Sequence, residues 1–103
     1  MSQVVKAIAT LQVDNDSTRV TEWRFAPGAS TGWHRHELDY VVVPLMNGRL
    51  RLVEPDGERV VAMAAGASYF RAAGVEHDVV NAGDAEYAFI EIEFKGTGAR
   101  PGP

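Results

Sequence analysis

The nine residues GASTGWHRH, positions 28–36, decide the reading of this chain. His34 and His36 are separated by one residue, among neighbours that suit an extended backbone. Side chains on a strand alternate faces, so positions i and i+2 point the same way. Two imidazoles therefore leave one face, each offering a nitrogen lone pair, as two ligands of a metal site on regular backbone. The third and last histidine is His77, inside VEHDVV at 75–80. Strand parity puts Val75, His77 and Val79 on one face and Glu76, Asp78 and Val80 on the other. An imidazole between inward valines needs a partner, because an unpaired buried polar group costs about 1–3 kcal/mol. A lone histidine there reads as a satisfied core residue. Three at inward-compatible positions read equally well as a shared metal site, and spacing alone leaves the choice open.

Outward from this stretch the chain reads as short strands between turn signals. Strands are expected over 3–13, 18–25, 32–36, 40–45, 49–54, 59–63, 67–71, 75–80 and 86–95. Asn47-Gly48 reads as a two-residue hairpin turn and Pro55-Asp56-Gly57-Glu58 as another. Pro44 cannot donate to a ladder, so the strand over 40–45 is expected at an edge or bulged there. No segment sustains a helical period. Turn signals roughly every 8–12 residues indicate an all-β sandwich or barrel. Residues 1–95 form one domain, and the Gly/Pro-rich 96–103 reads as a flexible tail.

Composition narrows the function classes. The net charge is −4, with no basic cluster to neutralise phosphates, so nucleic acid is not an expected partner. No apolar run approaches the ~20 residues of a membrane helix, and the N-terminus does not read as a signal peptide. The chain has no cysteine, which removes disulfides and thiolate ligands. The cytoplasm is the default location.

Gly28, five residues, then His34-Arg35-His36 resembles the first motif of the cupin superfamily. Gly66, five residues, Ala72, one residue, Gly74, two residues, His77, three residues and Asn81 resembles the second, with alanine at 72 where the family has proline. The two motifs span 28–81, about half of the chain. The wording of 18–52 is similar, more narrowly, to small single-domain cupins known as beta-alanine degradation proteins, found beside enzymes of beta-alanine and polyamine catabolism. The resemblance implies a small double-sheet jelly-roll β-barrel with the histidines near one mouth. It implies one divalent transition metal (iron, manganese, nickel or zinc) on His34, His36 and His77, and a homodimer in which the strand over 3–13 pairs across the subunit interface. Imidazole accepts all four metals, so the ligand set does not select one.

One departure stands out. The superfamily places a glutamate ligand after three or four further residues, where this chain has Tyr40 and Val41. Tyr40 can approach the metal directly or through water. Alternatively a bulge turns Asp39 inward, or the site is three histidines and water. The third arrangement is favoured, with Tyr40 in the pocket as a hydrogen-bond donor in the reaction. Loss of a negative ligand would raise the site's charge and favour an anionic small molecule or hydroxide.

Trp23 and Trp33 read as packing or dimer contacts. Arg24, Arg49, Arg51 and Arg71 read as solvated faces, one of which can reach inward for a carboxylate. Glu91 and Glu93 read as an outward acidic stripe, with an inward general base as the sharper alternative. The leading function is a metal-dependent enzyme acting on a small organic-acid or amine-derived metabolite. The rivals are a non-catalytic binding module for a metabolite or metal, and a structural barrel with an empty site.

Overall fold

The computed structural model describes residues 5–96. Runs of β-branched and aromatic residues such as Thr18–Phe25 and Val41-Val42-Val43 favour pleated backbone, and nine strands form among the described residues. They are β1 (Ile8–Asp14), β2 (Thr18–Phe25), β3 (His34–Arg35), β4 (Asp39–Pro44), β5 (Gly48–Glu54), β6 (Gly57–Met63), β7 (Tyr69–Arg71), β8 (Glu76–Asn81) and β9 (Tyr87–Phe94). No helix occurs among these residues. The strands make two antiparallel sheets, ordered β1-β2-β9-β4-β7 and β3-β8-β5-β6. This is the all-β jelly-roll architecture that the sequence indicates.

Strand pairing arranges the inner face of the five-stranded sheet in rows. Phe25 lies opposite Tyr87, and Trp23 opposite Phe89, which faces Pro44 on its other side. Thr21 lies opposite Glu91 and that opposite Val42, and Arg19 opposite Glu93 and that opposite Tyr40. One end of the barrel is therefore apolar and the other polar. The apolar end holds Phe25, Leu50, Met63, Tyr87 and Phe89, all buried, with the Phe25 and Phe89 ring centroids 5.6 Å apart. Asn81 closes this end. Its side-chain amide donates to the carbonyls of Phe25, Ala26 and Ala85 and accepts from the Gly83 N–H, so the last motif residue is a buried clamp on backbone groups rather than a simple turn residue.

Two expectations need correction. Asn47-Gly48 is not a hairpin: β4 and β5 belong to different sheets, and this segment crosses between them. Asn47 Oδ1 accepts the Ala65 N–H, and the Cβ of any residue at 48 would lie 2.5 Å from Tyr87 Cδ1. The dipeptide is selected by a cap and a close approach, not by hairpin geometry. Pro44 does not mark an edge strand, because β4 lies between β9 and β7. Leu45 donates to Ala88 on β9, so the alternate position, Pro44, turns its missing donor towards β7. That strand ends at Tyr69, opposite Val42, so no ladder bond is lost. At the other end of the five-stranded sheet, β1 pairs with β2 along one edge, with a bulge between Leu11 and Val13, and Lys6 bridges to Ser30. The outer edge of β1 has no partner among the described residues. The expected start of that strand at 3–4 and the tail beyond residue 96 lie outside the described residues. The turn at Pro55-Asp56 joins β5 to β6 as expected, with Glu54 opposite Gly57.

Candidate metal centre

β3 and β8 pair so that His34 lies directly opposite His77. His36 continues the same face two residues on, and its backbone is tied to the β8 side by two hydrogen bonds. Its N–H donates to the Val75 carbonyl, and its carbonyl accepts from the Gly74 N–H. Gly74 sits at φ 104°, a left-handed backbone that favours glycine. The glycines of both motifs thus serve the turns that set this register. Asp78, on the outer face of β8, holds the loop before His34 by accepting from Ser30 Oγ at 2.6 Å and the Gly32 N–H at 3.1 Å.

The three imidazoles converge through their Nε2 atoms, 3.0 Å apart for His34 and His36 and 3.2 Å for His36 and His77. They form a group able to hold a metal ion. Nitrogens that share one ion at about 2.1 Å each would stand at separations of this size. Protonation agrees with ligation. Burial, reinforced by the neighbouring histidines, lowers His36 to about 4 and His77 to about 3, so both are neutral at pH 7. His34 Nδ1 lies 2.9 Å from the Gly32 carbonyl. A carbonyl only accepts, so Nδ1 carries the proton and Nε2 the lone pair. The outer nitrogens differ: His34 has this carbonyl, His77 Nδ1 is buried without a partner, and His36 Nδ1 lies 3.9 Å from Glu91.

Around the histidines, the opposite sheet supplies Tyr40, whose ring stacks on His36 at 3.9 Å between centroids and 19° between planes. Its hydroxyl is buried with no partner, and burial raises the phenol well above its usual range. Tyr40 is therefore a neutral donor and not a phenolate ligand. Asp39 is exposed and its carboxylate accepts the Ala73 N–H at 2.8 Å, so no bulge turns it inward. Among the described residues no carboxylate joins the three histidines as a fourth member of their cluster.

The acidic pair on β9 does not form an outward stripe. Glu91 and Glu93 are 8% and 9% exposed and face the barrel, while Ile90 and Ile92 take the outer face. Burial, and then the Glu93 charge, raise Glu91 to about 7. Glu93 is paired with Arg19 at 2.7 Å. The pocket thus holds an acidic group, Glu91, that the outward reading did not count, while the Glu93 charge is met by Arg19. The sequence missed their placement because Glu91 and Ile90 alternate either way round. The available signal is parity with Tyr87 and Phe89, two aromatics of the same face. Of the four arginines, Arg71 lines the cavity beside the histidines, and it contacts Glu54 at 3.4 Å. Trp23 lines the site, whereas Trp33 is 54% exposed.

The cavity inside the barrel measures about 20 Å³, room for about one water. It continues into an open groove of about 430 Å³ at the mouth, walled by Ala9 and Leu11 of β1, Trp23, Arg19, Arg35 and the histidine face.

This two-sheet barrel with an inward histidine face defines a class, and residues 21–93 match its family, the cupin domain. The chain belongs to the cupin family. It is 57% identical over 95 residues to the beta-alanine degradation protein BauB of Pseudomonas aeruginosa, covering 92% of this chain and all of that protein. A crystal structure of a cupin domain from Bordetella pertussis superposes with a TM-score of 0.91 at 50% identity, covering 93% of this chain and all of that one. A double-stranded beta-helix protein from Klebsiella pneumoniae, 18% identical, shares the fold with a TM-score of 0.75 over 96% of this chain and 85% of that one.

Proposed function

We propose that this chain is a metal-dependent cupin acting on a small organic-acid or amine-derived metabolite, in the degradative chemistry for which its Pseudomonas relative is named. The convergence of three Nε2 atoms at 3.0 and 3.2 Å carries the reading. Lone pairs at that separation repel unless a cation or proton lies between them. His34, His36 and His77 would hold one divalent ion of iron, manganese, nickel or zinc, with His34 preset by the Gly32 carbonyl. When bound, such an ion supplies Lewis acidity and open positions for a ligand oxygen.

The chain's own groups define the rest. The interior admits a water-sized ligand, so the organic part of the metabolite lies in the mouth groove. Both charge signs line that path, through Arg19, Arg35, Glu37 and Glu91, and Arg71 adds a guanidinium within. This suits a ligand bearing a carboxylate, an amine or both. Tyr40 offers its O–H as the neutral donor to a group held at the histidine face. Low solvent access at His36 and Tyr40 strengthens both contacts.

Metal content of protein purified without a chelating tag, followed by ligand-dependent melting shifts across small amino acids, organic acids and amines, tests the proposal. Near-stoichiometric metal and a shift with at least one of these classes are expected. Metal-free protein would overturn the reading. Metal with binding but no turnover of any bound compound would replace the enzyme by a binding module.

A homodimer is part of the same proposal. All seven residues of β1 are exposed, including Ile8 at 64% and Leu11 at 57%, and its outer edge is open, a combination that stays soluble when covered. A monomeric mass by light scattering would reject it.

A further inference from the structure

We infer that Glu91 is a positioning residue for His36, fixing which ring nitrogen carries the proton. The inference rests on the metal reading above and concerns a residue outside the ligand set. His36 is 4% exposed and presents Nε2 to the other two histidines. Its opposite nitrogen, Nδ1, faces Glu91 Oε2 at 3.9 Å. Nδ1 makes no hydrogen bond among the described residues. The gap closes to a hydrogen bond by a shift of about 1 Å, or through one water in the cavity that both groups line.

Glu91 is held to this task from two sides. Trp23 lines the cavity beside it, and the row before it is Phe89 against Trp23. Tyr40 stacks on the far face of the imidazole, so the ring has little freedom to flip. Glu93, the neighbouring carboxylate, is engaged by Arg19, which leaves Glu91 as the acceptor for His36. Glu91 clusters with His36 and Glu93, not with His34 and His77. It therefore stands behind a ligand and does not replace the missing fourth one. Neutral imidazole has one N–H. In its ionised form Glu91 accepts at Nδ1 and keeps that proton there, and the Nε2 lone pair stays directed at the metal position.

The experiment uses the full chain, with Glu91→Met removing the acceptor at similar volume and Glu91→Gln keeping an acceptor oxygen. Zinc affinity is read by competition with a chromogenic chelator. The His36 tautomer is read in metal-free protein at about pH 8.5, where Glu91 is ionised, from long-range nitrogen–proton NMR spectra. The expected result is His36 with its proton on Nδ1 in wild type, moved to Nε2 in Glu91→Met, with zinc affinity lower by about 10–100-fold. Glu91→Gln should retain the wild-type tautomer and most of the affinity. Wild-type affinity or an unchanged tautomer in Glu91→Met would overturn the inference. Should that variant not fold, Glu91→Ala carries the same expectations. Failure of wild type to bind any of zinc, nickel, manganese or iron would instead overturn the proposed function, and the tautomer measurement would then decide this inference alone.

Discussion

The two ends of the barrel are built from the same strands and do opposite work. At one end β2 and β9 contribute Phe25, Tyr87 and Phe89, which pack against Leu50 and leave almost nothing exposed. At the other end the same two strands contribute Arg19, Glu91 and Glu93, facing the histidines of β3 and β8. The apolar end supplies burial, which scales with area and tolerates imprecision of shape. The polar end holds groups whose value lies in direction: three converging ring nitrogens, a carbonyl on one imidazole, a carboxylate behind another. Stability and chemistry are thereby separated along the strands by two to six residues.

That separation can be broken experimentally, beginning with the largest effect. His77→Ala should lower metal affinity by at least about 100-fold, since one of three ligands is lost, while raising or leaving unchanged the melting temperature of metal-free protein. Metal analysis after dialysis, paired with calorimetry, reads both. A variant that keeps stoichiometric metal would dissolve the site assignment. Phe89→Ala is the mirror case, expected to cost about 3–5 kcal/mol in urea unfolding, with metal affinity at saturating native protein within a few-fold of wild type.

Acid should act on the polar end next. His36 and His77 titrate near 4 and 3 in the fold against 6.5 for a free imidazole. The unfolded chain therefore binds protons first, and metal-free protein loses stability as pH falls from about 6.5 towards 4. Glu91, raised to about 7 from 4.5, works oppositely, favouring the fold at low pH and losing that contribution as pH rises from about 4.5 to 7. Two histidines against one carboxylate leave a net loss on acidification, visible as a falling thermal midpoint. His77→Phe should flatten the slope. The smallest effect belongs to Arg19→Gln. The Arg19 side chain is 41% exposed, so losing its pair with Glu93 should cost no more than about 1 kcal/mol in the same urea assay.

The sequence disclosed these two ends unequally. His34, His36 and His77 were legible because spacing and parity fix their common face, and two glycine-framed motifs anchor the register. The all-β architecture followed from turn signals and β-branched runs. Glu91 and Glu93 were not legible: on a strand with isoleucine at every alternate position, apolarity argues for burying the isoleucines, and only the neighbouring strands' register makes the opposite choice. Asn47-Gly48 misled for a related reason, since a turn signal states that the chain bends and not which sheet receives it. Tyr40 was placed inward by parity, but its stack on His36 depends on sheet-to-sheet packing that no local pattern carries.

Gly48 bears on how this chain can vary by descent. Its φ is not in the left-handed region, so the constraint is space: a methyl group at 48 would meet the Tyr87 ring at 2.5 Å. A side chain is tolerable there only if the ring across the barrel shrinks or withdraws. The dependence runs one way: a side chain at 48 requires a smaller or withdrawn residue at 87, whereas 87 can shrink while Gly48 is kept.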